Sequence, residues 1–111
     1  MSHSQAGLYK LCLTTVDKDE TAKAIAKQLL QQKLVACVNI QSKVTSLYIW
    51  QGNIEQQGEV LLIMKTRKEK LAALQKVLLA IHPYDVAEFI VLDIQDGNQE
   101  YLAWIDESLS L

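Results

Sequence analysis

Proline and phenylalanine each occur once in the 111 residues, glycine four times and cysteine twice. The scarcity of glycine and proline, with half of the residues apolar and 22% charged, argues against disorder and low complexity. It also removes the usual phosphate cradles. There is no Gly-x-Gly-x-x-Gly, no Gly-x-x-x-x-Gly-Lys-Ser/Thr and no Gly-x-Ser-x-Gly elbow. Positive charge is thin, with eleven basic residues against thirteen acidic ones. The one basic cluster, Lys65, Arg67, Lys68 and Lys70, is cut by Glu69, so a nucleic-acid face is not expected. No apolar run approaches the roughly twenty residues of a membrane span, and no leader-like segment is visible. Cys12 and Cys37 lie in apolar runs and read as free thiols of a reducing compartment. The expected location is the cytoplasm, without membrane contact. Histidine is nearly absent too. His82 is the only one outside the first residues, and no spacing pairs it with Ser46 or Cys37 as base and nucleophile. The chain is therefore not expected to be an enzyme.

The length suits one domain, residues 7–111, behind a loose tail at 1–6. Alternation predicts a first strand over 8–15, and Asp17 or Asp19 can cap a helix running to about 32. That helix carries the stripe Ala22, Ile25, Ala26, Leu29 and Leu30. Residues 34–40 form a nearly continuous apolar run, read as a buried strand. A bend or bulge is expected at 41–43, an extended segment at 44–50, and a turn at Gln51-Gly52-Asn53. Residues 54–57 read as an exposed connection or strand start, and 59–66 as a strong strand. A second helix is expected over 67–81, with Thr66 at its cap. Pro83 ends it, a strand over 86–94 follows, and a short helix over 99–109 turns Tyr101, Leu102, Ile105 and Leu109 inward.

This order predicts an α+β ferredoxin-like sandwich: an antiparallel sheet with helices on one face, plus a short C-terminal helix. A small doubly wound sheet is the alternative. Strand residues of both parities are apolar, Leu61 and Ile63 against Val60, Leu62 and Met64. A second buried sheet face predicts association between copies, at about 25 cal/mol per Å² of apolar surface removed.

Chemistry gathers around Ile81-His82-Pro83-Tyr84-Asp85-Val86-Ala87-Glu88. The Cys37 thiolate, the His82 imidazole and a carboxylate from Glu59 or Glu88 suit copper or zinc. The plainer readings are a buried thiol for Cys37 and a helix-end bond for His82. Tyr48, Trp50 and Tyr84 can line a cleft or pack a sheet. Lys65 can neutralise Glu59 or Glu88, or attract a small anion.

The segments Leu34-Val35-Ala36-Cys37-Val38-Asn39-Ile40, Ser46-Leu47-Tyr48-Ile49-Trp50-Gln51-Gly52 and His82-Pro83-Tyr84, with Glu59, Lys65-Thr66, Glu88 and Tyr101-Leu102-x-Trp104-Ile105, together resemble the CutA family of divalent-cation tolerance proteins. The resemblance implies a ferredoxin-like subunit in a homotrimer packed through its sheets, with no obligatory cofactor and Cu²⁺ or Zn²⁺ as candidate ligands. By position it implies Cys37 and His82 as metal contacts. Tyr48, Trp50, Glu59, Lys65, Tyr84 and Glu88 would then surround an intersubunit cleft. A signalling or scaffold trimer that binds a small anion or a protein, without catalysis, is the alternative. Where some relatives carry paired histidines before Pro-Tyr, this chain has Ile81-His82, and Ala87 stands where a proline is frequent.

Overall fold

The computed structural model describes residues 7–111; the tail expected over 1–6 lies outside the described residues. The elements run β1 (Tyr9–Val16), α1 (Asp19–Gln31), β2 (Cys37–Trp50), β3 (Asn53–Arg67), α2 (Leu71–Ile81), β4 (Ile90–Ile94) and α3 (Gln99–Ser108). One turn of 3₁₀ helix, Lys68–Lys70, leads into α2. The sheet order is β2-β3-β1-β4, and the β1–β3, β1–β4 and β2–β3 pairs are antiparallel. This is the split βαβ arrangement that the element order predicts.

Alternation along the strands divides the sheet into two unlike faces. Cys12, Thr14 and Val16 pair with Met64, Leu62 and Val60, and all six are buried. The apolar ones pack with Ala22, Ile25 and Leu29 of α1 and with Leu74 and Leu78 of α2. Each fully buried leucine here contributes roughly 1.5–3 kcal/mol relative to exposure. Tyr9 has the opposite parity and packs with Leu102, Ile105 and Leu109, so α3 covers one end of the second face. The rest of that face is open. Leu11, Leu13, Leu61 and Ile63 are half-buried there, and Ile90 and Leu92 remain 46% and 45% exposed.

An arm extends from this body. β1 ends at the Val16–Val60 pair, so residues 44–59 of β2 and β3 pair only with each other. The chain is accordingly 49 Å long and 23 Å thin. The arm closes at the Trp50–Asn53 pair through Gln51 and Gly52, whose φ values of 51° and 81° are those of a tight hairpin turn with the strands' own twist.

Several expectations shift. β2 begins at Cys37 rather than 34, because Leu34, Val35 and Ala36 are buried in the passage from α1. The α1 end holds Lys33 at φ 56°, with Lys33 N–H donating to the Leu30 carbonyl and Leu34 N–H to that of Leu29. That pattern satisfies the last carbonyls and drives Leu34 into the core. Of the two readings of residues 54–57, the strand start holds, since they are part of β3. β4 is only five residues, since residues 86–89 stand outside the β1–β4 ladder. Thr66 does not cap α2; its hydroxyl donates to the Leu34 carbonyl at 2.7 Å inside the core. Neither Asp17 nor Asp19 caps α1, which starts from Lys18, and Asp19 instead accepts from Ser42 at 2.6 Å. Tyr101 is 40% exposed rather than turned inward. Among the described residues, no helix is long and apolar enough to cross a membrane.

Candidate ligand cleft

The position of the cleft depends on one extra residue in β2. Gln41 pairs with Leu61 and Val44 with Glu59, so three steps along β2 match two along β3. The surplus is absorbed near Lys43, whose φ of 61° marks a left-handed kink in the strand. Past that bulge the parity of β2 inverts. Ser46, Tyr48 and Trp50 now share a face with Gln57, Glu55 and Asn53, and with Glu59 one step behind. Without the bulge, the two aromatics would point to the other side.

The second wall comes from the segment after α2. Pro83 cannot continue a helix, and His82 already has extended backbone, φ −72° and ψ 137°. The His82 ring then fastens the turn. Its Nδ1 accepts from the Tyr84 amide at 3.1 Å, which places the ring proton on Nε2, 2.9 Å from the Thr15 carbonyl oxygen and 3.1 Å from Thr14 Oγ1. His82 is buried and meets the Tyr84 ring edge-on at 4.9 Å. The chain then crosses the end of the sheet, bringing Tyr84, Asp85 and Glu88 opposite the arm.

Between these walls lies an open cleft of about 570 Å³. A run of hydrogen bonds lines it. Tyr48 donates to Gln57 Oε1 at 2.9 Å, Gln57 Nε2 lies 3.5 Å from the Tyr84 hydroxyl, and that hydroxyl donates to Glu59 Oε2 at 2.9 Å. Burial, with the carboxylate of Glu59 beside it, pushes the Tyr84 phenol well above its ordinary range, so it stays a donor. Glu55, Glu59, Asp85 and Glu88 all line the cleft, and among the described residues no lysine or arginine does.

Of the anticipated residues, Tyr48, Trp50, Glu59, Tyr84 and Glu88 meet at this cleft. His82 lies behind it, its ring nitrogens engaged with backbone and Thr14. Cys37 and Lys65 pair across β2 and β3 on the open sheet face. There Lys65 donates to Asn39 Oδ1 at 2.7 Å, with its Nζ 5.8 Å from the Tyr101 ring centre, and Cys37 Sγ lies 3.8 Å from Asn39 Oδ1. Cys37 and the His82 ring thus sit on opposite sides of the sheet within one chain. Among the described residues, no three His, Cys, Asp or Glu side chains converge as a metal site would require. Glu55 and Gln57 escaped the sequence reading, and Asp85 entered it only as part of the 81–88 stretch. The equal parity of Glu55, Gln57 and Glu59 is the signal that finds the first two once 54–57 is recognised as strand.

Fold and cleft together define a small α+β protein that presents a wide acidic, aromatic-walled groove beside a hairpin arm. Residues 10–108 match the family model described as CutA1 divalent ion tolerance protein. The Thermus thermophilus divalent-cation tolerance protein CutA is 42% identical over 99 residues, covering 89% of this chain and 96% of that one. A Xenopus laevis CutA homolog is 42% identical over 102 residues, 92% of this chain and 68% of the relative. Solved structures agree. CutA1 from Ehrlichia chaffeensis superposes with a TM-score of 0.90 at 33% identity, over 95% of this chain and 98% of that one. CutA from Synechococcus elongatus gives 0.90 at 36%, over 93% and 91%. The chain belongs to the CutA1 divalent ion tolerance family.

Proposed function

We propose that this chain is a non-enzymatic divalent-cation-response protein that works as a homotrimer and takes Cu(II) or Zn(II) at clefts completed by neighbouring copies. The observation that carries the reading is the charge of the cleft: four carboxylates line it, with no basic side chain among the described lining residues. Such a lining raises the local concentration of cations and disfavours anions. The small-anion alternative has its best candidate in Lys65, which is turned to Asn39 on the open face instead.

Association is supported by what one chain leaves exposed. A two-stranded ribbon is marginal in water on its own, yet the arm carries Leu47, Ile49 and Ile54 at 63%, 74% and 77% exposure. The open sheet face adds Ile90 and Leu92. The two surfaces face opposite ways, so neighbouring copies would have to cover the chain from both sides. A contact through the open face would involve Cys37 together with its cross-strand partner Lys65, and could supply the thiolate a single chain cannot bring to Glu59 and Glu88. The names of the relatives, divalent-cation tolerance proteins, agree with a cation as the physiological signal.

The test is Zn(II) titration by calorimetry of pre-reduced protein under argon, with mass by sedimentation in parallel. The expected result is a three-chain particle with saturable binding per chain, weakened in Cys37→Ala without change of mass. A purified assembly that takes up no Zn(II) or Cu(II) ends the metal reading.

A further inference from the structure

We infer that the cleft is a binding site for a linear aliphatic di- or polyamine. This goes beyond the metal reading and stands independently of it. Four carboxylates share one cavity, but no three acidic, histidine or cysteine side chains converge among the described residues. A single small ion therefore touches too few of them to be held by this chain alone. An extended molecule with ammonium groups separated by methylenes meets the opposite requirement, since each nitrogen can pair with a separate carboxylate. Tyr48, Trp50 and Tyr84 line the same cavity, and aromatic rings suit both positive nitrogens and the intervening methylenes. A volume of about 570 Å³ falls within the range of small-molecule pockets.

One side chain points to a missing partner. Glu59 is only 9% exposed, and its Oε2 accepts from Tyr84. Among the described residues, its Oε1 receives no donor and the carboxylate has no salt-bridge partner. A buried carboxylate oxygen left unpaired is costly, and an ammonium N–H would satisfy it. The rim is suited to entry, because Trp50 is 60% and Val86 90% exposed.

The experiment uses the protein in its purified assembly state, metal-free, with spermidine as probe. Calorimetry is read alongside fluorescence of a Trp104→Phe background, in which Trp50 is the sole tryptophan. The expected result is saturable binding per chain with a change in Trp50 emission. Glu88→Gln and Trp50→Ala should each weaken it by about tenfold, while 1,4-diaminobutane binds less tightly. Binding unaffected by Cys37→Ala separates this site from the metal reading, and Zn(II) uptake without spermidine uptake overturns this proposal alone. No saturable binding at millimolar spermidine overturns it too, as it would if a neighbouring copy fills the cleft. So does binding that Mg²⁺ at equal ionic strength abolishes, or binding that both variants leave unchanged.

Discussion

The Tyr84 hydroxyl donates to Glu59 Oε2 at 2.9 Å, tying the segment after α2 to the root of the arm. It is the only side-chain donor to that carboxylate among the described residues, and Glu59 is buried. Tyr84→Phe keeps the ring and removes the bond, so a charged group stays buried without its donor. The expected loss is about 1–3 kcal/mol in urea denaturation. A change within about 0.5 kcal/mol, as for an ordinary surface substitution, would mean that the carboxylate finds water or another donor instead.

His82 occupies the hinge between α2 and this cleft, and its ring is already engaged on both sides. Replacing it by alanine empties a buried site and leaves the Thr15 carbonyl and the Tyr84 amide without that partner. Destabilisation of about 2–3 kcal/mol is expected. It should appear in full with a chelator present. If His82→Ala matters only when metal is bound, the ring is a ligand first and a fastener second.

Much of this architecture can be read from residue pattern, because burial on one face forces alternation in strands and three-four spacing in helices. The stripe Ala22, Ile25, Leu29 and the pair Leu74, Leu78 lie where that spacing places them. Local pattern fails where long-range pairing decides. Residues 54–57 hold one apolar side chain, Ile54, which is exposed, so pairing with the other arm strand decides between a connection and a strand start. Thr66 suits a cap by type and position, yet the Leu34 carbonyl, 32 positions away, claims its hydroxyl. The cleft was half legible. Its aromatics and Glu59 stand out by type, whereas Asp85 acquires meaning only when the turn at Pro83 folds back against the arm.

The open face makes a direct prediction for assembly. Leu92 and Ile90 face the same side as Leu11 and Leu13, and none of the described residues covers them fully. Leu92→Glu places a carboxylate in what would be a dry contact, at a cost of several kcal/mol for an unpaired charge. Sedimentation at micromolar protein should show wild-type protein as a three-chain species and the variant as smaller ones. A variant that keeps the wild-type mass would exclude this face as the contact. A wild-type chain that sediments alone would remove association altogether.

The bulge at Lys43 can be tested from both directions. A side chain at φ 61° costs about 1 kcal/mol that glycine does not incur. Glycine returns part of this through a freer unfolded chain, so Lys43→Gly should stabilise by about 0.5 kcal/mol. Deleting Lys43 removes the surplus residue and restores simple alternation, turning Tyr48 and Trp50 away from the cleft. Trp50 emission in the Trp104→Phe background should then shift, and stability should fall. A deletion that leaves the emission unchanged would mean that the arm recovers its register elsewhere.

Alkaline pH should find the weak point of the core at Cys12, which is fully buried between the sheet and its helices. Burial pushes its thiol up from an ordinary 9.0 to about 11, only partly opposed by Lys10. A group whose folded pKa is raised supports the fold fully below its unfolded value and loses that support as pH climbs through the folded one. The window therefore opens near pH 9 and closes near pH 11. The loss across it is on the order of 2–3 kcal/mol. Tyr9 and Tyr84 are also raised, first by burial and then by their hydrogen bonds to Asp106 and Glu59, but their unfolded phenols titrate at 10.0, so their contribution begins later. Urea denaturation of wild type and Cys12→Ala from pH 8 upward separates these terms. The alanine variant starts less stable because it leaves a small cavity, yet it should hold its stability through the first part of the window, where wild type declines. Parallel curves would mean that water reaches the thiol and that the core between β1 and the helices opens before it ionises.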